Sequence, residues 1–232
     1  FGGGFYNNEA RIDLTNNQAD TLSIKTLNEF SSPRAFLYLH DNLPIGDRLI
    51  LKAGIRTNIS LDRNKIYFEP RISASYKLSE QLKINASWGR YNQFIYKVVN
   101  VDRNQNYVYL WVAANENRSV LNASHWVCET NYFKNDLTLN LQAYYKPTHN
   151  LTKRVFEQQV INGTRVDAYF PYFGDAKSYG IDFYAKKDIG RHSVWASYSL
   201  SKALERFAPV NVPLPAYTLS PQHQLHEFKV AG

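Results

Sequence analysis

The sequence predicts an all-β fold whose antiparallel strands run up and down between neighbours. Three observations support this: strands in which apolar and polar residues alternate, tight turns rich in Asn, Asp and Gly, and links that are alternately short and long. Successive side chains of a strand point to opposite faces, so alternation gives one apolar face and one polar face. The clearest strand is 67–78, where Phe68 and Ile72 share one face and Arg71 and Ser73 share the other.

About nine such strands are predicted along the chain. They lie at 34–41, 49–56, 67–78, 82–89, 125–132, 137–146, 178–186, 194–201 and from about residue 223 onward. Representative residues expected on the apolar face are Ile72, Ala74, Ile84, Leu139, Ile181 and Val194. Those expected on the polar face are Arg71, Ser73, Lys83, Asn140, Asp182 and Ser197.

The links between strands separate two kinds of all-β fold. Short polar turns are expected at 42–47, 79–81, 134–136 and 188–191, and longer links at 58–66, 92–121, 148–176 and 204–222. Strict alternation places every long link at one end, as in transmembrane barrels with short periplasmic turns and long extracellular loops. In such a barrel the apolar face contacts lipid and the polar face lines the lumen. The pattern therefore favours an antiparallel up-and-down transmembrane β-barrel over a soluble sandwich.

Composition excludes several other classes of protein. The chain has a net charge of +7, but its basic residues are scattered, which argues against nucleic-acid binding. Its one cysteine, Cys128, allows no intrachain disulfide. His223 and His226 lie three residues apart in an extended segment and face opposite ways, so no metal site is expected there. We find no nucleophile, paired-carboxylate or phosphate-loop motif, and therefore expect no cofactor and no enzyme activity.

The chain is expected to be an internal piece of a larger protein. It has no Met and shows no signal-peptide pattern. Bacterial single-chain barrels have an even number of strands and must close, because an open edge in lipid leaves backbone groups unpaired. Nine readable strands do not satisfy that rule.

Four stretches, taken in order, resemble a known family. They are residues 48–94, with YFEPRISASYKLSEQLKINASWGRYNQF; 137–152, LTLNLQAYYKPTHNLT; 176–207, AKSYGIDFYAKKDIGRHSVWASYSLSKALERF; and 220–232, SPQHQLHEFKVAG. Together they resemble the barrel of TonB-dependent outer-membrane receptors, especially those of the Bacteroidetes type. In the last stretch Gln222 and Gln224 stand where that family usually has Asp and Arg.

The resemblance implies that residues 1–232 are part of a single barrel domain of about 22 strands, without its N-terminal plug and C-terminal strands. It implies the outer membrane of a Gram-negative bacterium, and energy-coupled uptake of a scarce nutrient such as a siderophore, cobalamin, glycan or peptide. The implied partners are outer-membrane lipid, the nutrient, and the inner-membrane TonB complex, which is reached through the missing N-terminal part. The alternatives are a passive outer-membrane channel and a soluble carbohydrate-binding β-protein.

Two long links carry the candidate ligand-binding residues. Binding residues concentrate on loops held by a rigid scaffold, and aromatic rings offer a large contact area. The candidates are Tyr91, Phe94, Tyr96, Tyr107, Tyr109 and Trp111 in or beside 92–121, and Tyr169, Phe170, Tyr172 and Phe173 in 148–176. We expect these two links to close over the mouth of the barrel. The alternative is that the rings only pack the loops together, or that residues 107–114 form a short hairpin.

Overall fold

A computed structural model describes residues 1–16, 24–114 and 118–232. In order the strands are β1 (Gly2–Asn16), β2 (Ile24–Ile45), β3 (Leu49–Ser60), β4 (Lys65–Lys77), β5 (Leu82–Gln93), β6 (Ile95–Val101), β7 (Tyr107–Ala113), β8 (Leu121–Lys134), β9 (Leu137–Ile161), β10 (Thr164–Ile189), β11 (His192–Pro209), β12 (Thr218–Leu219) and β13 (His226–Ala231). Within the described ranges, no helix is long and apolar enough to cross a membrane.

The strands form one sheet in the order β1-β2-β3-β4-β5-β8-β9-β10-β11, and β12 and β13 both pair with β11. Neighbours along this path are antiparallel. All nine predicted strands are present, as β2–β5, β8–β11 and β13. Strands β1, β6 and β12 were not predicted, and β7 corresponds to the short hairpin considered for residues 107–114.

The register confirms the two faces predicted from alternation. One row of directly paired residues is almost wholly apolar: Leu51, Ala74, Ala86, Cys128, Ala143, Ile181 and Leu200. A row on the opposite face is polar: Ser75, Asn85, Glu129, Gln142, Asp182 and Ser199. Ile72 and Ile181 remain 50% and 49% exposed, because the described strands form one sheet rather than two packed layers.

Aromatic residues form a further row on the apolar face. Trp88 pairs with Trp126, Trp126 with Tyr145, and Tyr145 with Tyr179. The ring centroids of Trp88 and Trp126 are 5.6 Å apart, and those of Tyr145 and Tyr179 are 6.5 Å apart. A lateral band of large rings on an apolar face is typical of the girdle at a membrane interface.

The short turns follow local backbone chemistry. Asn135 and Asp136 both have positive φ, 48° and 62°, which gives the two-residue type I′ geometry that matches strand twist. Gly46 and Gly190 supply positive φ at two other turns. All four predicted short turns are present, but the one predicted at 42–47 is narrower and lies at 46–48, because β2 continues to Ile45.

Two of the predicted long links are wrong as written. The link at 58–66 is a four-residue turn, 61–64, between β3 and β4. The link at 148–176 is not a loop, because β9 and β10 continue to a tight turn at Asn162 and Gly163. Apolar and polar residues no longer alternate where β9 and β10 continue through residues 148–176. Because the strands were predicted from that alternation, this region was predicted as a loop.

The third link, 92–121, contains β6 and β7, and its residues 115–117 lie outside the described part. Strand β6 pairs with β7, and its end, Val99–Val101, also pairs in parallel with Lys153–Val155 of β9. The expectation of purely antiparallel neighbours therefore fails at this point. Strand β8 begins only at Leu121, so the upper edge of β9 is left for β6 to occupy.

Candidate ligand-binding site

A small apolar core lies at the long-link end of the sheet, opposite the short turns. Its buried residues are Phe94, Tyr96, Val98, Val112, Ala114, Val120 and Leu121. Tyr96 is 2% exposed, and its hydroxyl donates a hydrogen bond to the carbonyl oxygen of Ser119 at 2.8 Å. The ring of Phe94 meets Tyr67 edge-on, with centroids 5.1 Å apart. Phe94 and Tyr96 therefore hold the β6–β7 hairpin together and are not surface contacts.

The other aromatic residues of this hairpin form an exposed ladder. Tyr107, Tyr109 and Trp111 occupy alternate positions of β7 and are 47%, 42% and 52% exposed. Lys97 lies across from Trp111, its ammonium nitrogen 5.1 Å from the ring centroid. Ring faces and edges on this side of β7 are therefore available to a ligand.

The upper halves of β9 and β10 hold the second predicted group. Tyr169 packs edge-on against Phe156, with centroids 5.1 Å apart, and Arg154 lies 5.4 Å from the Tyr169 centroid. The Tyr172 hydroxyl donates to a Glu157 carboxylate oxygen at 3.0 Å. Strand alternation places Phe173 on the same face as Tyr169, and Phe170 with Tyr172 on the other. This group is therefore divided between two faces.

Two contacts join these hairpins to each other and to a third segment. Arg103, at the tip of the β6–β7 hairpin, contacts Asp167 of β10 at 2.7 Å and covers the Phe156 ring at 4.6 Å. Gln222 donates to the Tyr109 hydroxyl at 2.7 Å. The segment 210–225 was not part of the predicted site. Its contact with the hairpin depends on Tyr109, which is far from Gln222 in the sequence, so no local pattern could indicate it.

Tyr91 lies apart from these nine residues. It is on the polar face near the end of β5, with the Arg71 guanidinium 4.8 Å from its ring centroid and the His125 ring at 4.6 Å. The structure therefore groups Tyr91 with the wall of the sheet rather than with the hairpins.

A polar cluster fixes the base of the β9–β10 extension. Asp175 accepts hydrogen bonds from Arg206 Nη2 at 2.8 Å and is 2.9 Å from His149 Nδ1. Next to it, Gly174 allows β10 and β11 to approach, since a Cβ there would lie 2.0 Å from the Arg206 carbonyl oxygen. Arg206 also covers the ring of Tyr217, at 4.5 Å. This cluster links three strands to the segment 210–225.

The Asp175 cluster predicts a response to acid. Burial works to raise the pKa of Asp175, but the hydrogen bonds from Arg206 and His149 outweigh it, so the net effect is a lowered pKa. The stabilisation is therefore complete above the ordinary aspartate pKa of about 3.9 and is lost as pH falls through the lowered value. Hydrogen exchange of residues 204–220 should accelerate in that acidic range. Asp175→Asn should exchange faster already at neutral pH and lose most of this acid dependence; an unchanged profile would contradict the role.

The next question is whether the described residues include a set of metal ligands. No group of three or more His, Cys, Asp or Glu side chains there could hold a metal ion. The site is thus one of rings, amides and a few charged pairs.

Comparison with known proteins identifies the fold family. The profile of the family described as TonB dependent receptor-like, beta-barrel, matches residues 1–225. None of the curated proteins matches the chain.

Several solved structures share its fold. The siderophore receptor PirA from Pseudomonas aeruginosa aligns with a TM-score of 0.59 at 13% identity, over 90% of this chain and 46% of that one. A mutant of the ferric enterobactin receptor PfeA from the same organism gives 0.56 at 10% identity, over 79% and 31%. The RagAB peptide importer gives 0.54 at 17% identity, over 89% and 25%.

The chain spans less than half the length of each of these proteins. Its single sheet, its apolar outer face with an aromatic band and its family match agree with one another. The chain is therefore part of an outer-membrane β-barrel of a Gram-negative bacterium and belongs to the TonB-dependent receptor-like β-barrel family.

Proposed function

We propose that this chain forms wall and extracellular loops of a receptor that takes up a scarce nutrient across the outer membrane by energy coupling. The observation that supports it best is the pair of ordered hairpins, β6–β7 and the upper part of β9–β10, that extend from the barrel wall. A hairpin with its own buried core, bridged to its neighbour through Arg103 and Asp167, presents a fixed surface rather than a loose loop. Fixed surfaces lose little conformational entropy when a ligand binds.

The proposed contacts are divided between the hairpins. Tyr107, Tyr109 and Trp111 are exposed on β7 and would touch the ligand directly. On the β9–β10 hairpin the proposed contacts are Phe170 and Tyr172 on one face and Phe173 on the other, while Phe94 and Tyr96 would act only by holding the first hairpin. Energy would come from the inner-membrane TonB complex, acting through the N-terminal part of the full-length protein. Related proteins of known structure are a siderophore receptor and a peptide importer, and both nutrient classes are candidates here.

The test uses the full-length receptor in its native host. A triple change, Tyr107→Ser, Tyr109→Ser and Trp111→Ser, should abolish nutrient-dependent growth and binding, because it removes exposed rings without entering the buried core. The control is Phe133→Ser, which removes an exposed ring, 60% exposed, at the periplasmic end. Deleting residues 95–113 should give the same loss with the barrel still assembled. Unchanged nutrient binding in both the triple variant and the deletion would refute the proposed site.

A further inference from the structure

Three cations lie on the apolar face of the sheet, at and just beyond the aromatic band. Lys202 of β11 pairs directly with Tyr179 of that band. Lys177 is two residues from Tyr179 on β10, and Arg206 is four residues from Lys202 on β11, so strand alternation places all three on the face that contacts lipid. We call Lys177, Lys202 and Arg206 the outer cationic patch. Strands β10 and β11 both have their two neighbours in the sheet, and the patch lies on the outside of the wall, away from the lumen.

One tyrosine ring brings two of these cations together. The Lys177 ammonium nitrogen is 4.2 Å from the ring centroid of Tyr217, and the Arg206 guanidinium carbon is 4.5 Å from it. The nearby carboxylate, Asp175, is already bonded to Arg206 at 2.8 Å and to His149 at 2.9 Å. Two like charges are therefore held close together and only partly neutralised, which favours the approach of an anion.

The third cation of the patch adds to this excess of positive charge. Lys202 is exposed and forms no ion pair with any described residue. Its long side chain can run along the apolar face and bring its ammonium group up to the headgroup level, where Lys177 and Arg206 already lie. The patch thus offers an ammonium group that is free to bond to a ligand.

Cations are not spread evenly along this edge of the apolar face. At the same end of β3 and β4, the outward residues are uncharged, and they pair as Thr57 with Phe68 and Ile59 with Ile66. Strand β5 contributes a single outward cation, Arg90. A general preference for basic residues at the membrane interface would place cations on all these strands. Three cations on two adjacent strands therefore indicate a local site.

The surface next to the patch is apolar. Leu204 lies between Lys202 and Arg206 on the same face and pairs with Leu219, which is 55% exposed. Toward the membrane centre the face continues with Ile181 and Leu200, which are 49% and 39% exposed. A molecule with an anionic head and hydrocarbon chains fits this arrangement, because its charge would meet the cations while its chains lie on the apolar residues.

The position of the patch identifies the kind of lipid. Phosphate oxygens form strong, charge-assisted hydrogen bonds with lysine and arginine, and basic sites on membrane proteins bind phosphorylated lipid headgroups. The patch lies at the extracellular end of the wall, and it therefore faces the outer leaflet. In a Gram-negative outer membrane, the lipid of that leaflet is the phosphorylated glycolipid lipopolysaccharide.

We propose that the outer cationic patch binds a phosphate group of a lipopolysaccharide molecule in the outer leaflet. Lys177 and Lys202 bond to the phosphate, and Arg206 adds positive charge from its fixed place on Tyr217. The acyl chains lie along Ile181 and Leu200. This inference goes beyond the proposed function, because the site is on the outside of the wall and takes no part in nutrient binding.

The probe for the test is lipid A that carries its phosphate groups, added to the delipidated full-length receptor in detergent. Native mass spectrometry counts the lipid A molecules bound. Lys177→Gln combined with Lys202→Gln should weaken binding by roughly tenfold or more, because each lost contact is charge-assisted. These two lysines lie outside the Asp175 pairing, so the variant keeps the cluster that holds β9, β10 and β11 together. Added salt should weaken binding, and lipid A without phosphate groups should bind much less tightly.

The control variant removes two cations from the polar face of neighbouring strands, Lys146→Gln on β9 with Lys186→Gln on β10, and should leave lipid A binding unchanged. Heat-modifiable migration on gels confirms that each variant has assembled. Inorganic phosphate at the same concentration should not displace lipid A; displacement would show a site for free anions and overturn the assignment to a lipid. Equal binding by the wild type and the Lys177/Lys202 double variant, equal binding of the two forms of lipid A, or no binding by the wild type would also overturn the inference.

Discussion

Replacing Ile181 by Arg should destabilise the barrel in lipid by about 2–4 kcal/mol. Ile181 lies on the apolar face between Ala143 and Leu200 and is 49% exposed, so a charged side chain at this position would face hydrocarbon. The measurement is the free energy of unfolding by denaturant of the receptor reconstituted in lipid vesicles.

Ser199→Arg provides the matched control for that change. Ser199 lies on the polar face between Asp182 and Glu227, where an arginine side chain would meet water and two carboxylates. We expect this substitution to change the unfolding free energy by less than about 1 kcal/mol. Equal costs for Ile181→Arg and Ser199→Arg would show that the two faces are not lipid and lumen.

The second large effect is expected at Phe94. Phe94→Ala should destabilise the β6–β7 hairpin by about 3–5 kcal/mol, because it empties a well-packed site. Phe94 is 2% exposed, and its ring contacts Tyr67 and lies 4.1 Å from the Arg34 guanidinium carbon. Hydrogen exchange should accelerate across residues 95–121, while the strands in the membrane keep their protection and the barrel assembles normally.

Trp111→Ala separates a structural role from a ligand contact. Trp111 is 52% exposed, so its loss should leave hydrogen exchange of the hairpin nearly unchanged and still weaken nutrient binding. Phe94→Ala should reduce binding only through the loosened hairpin. Normal protection of residues 95–121 in Phe94→Ala would remove Phe94 from the core and return it to the list of possible contacts.

The membrane part of the fold could be predicted from sequence because lipid imposes a pattern. Ile72 must be apolar and Ser73 is free to be polar, and the structure places them on opposite faces as expected. The upper part of β9 lies beyond the lipid, so Thr152 and Phe156 can share a face without an apolar period. Strand pairing there depends on β10 and on β6, which no local pattern reveals.

The candidate site was only partly predictable from the sequence, because it too depends on contacts between residues that are far apart in the chain. An aromatic residue in a link has the same appearance in the sequence whether it is buried, as Tyr96 is, or exposed, as Trp111 is. The difference depends on residues distant in sequence, such as Ser119, which accepts the Tyr96 hydrogen bond. The Asp175 cluster was missed because Arg206 and His149 come from different strands and form no sequence motif.

The parallel pairing of β6 with β9 also sets an order of assembly. Strands β6 and β7 are close in sequence and can form a hairpin early, but the partner segment Lys153–Val155 is made later in the chain and must first be aligned by β8 and β10. Closing so long a loop is entropically costly and slow. The β6–β7 hairpin is therefore expected to dock onto β9 last during folding, and to detach first as a separate cooperative unit. A chain built in this way can loosen the β6–β7 hairpin, and with it the proposed ligand contacts, without disturbing the strands that cross the membrane.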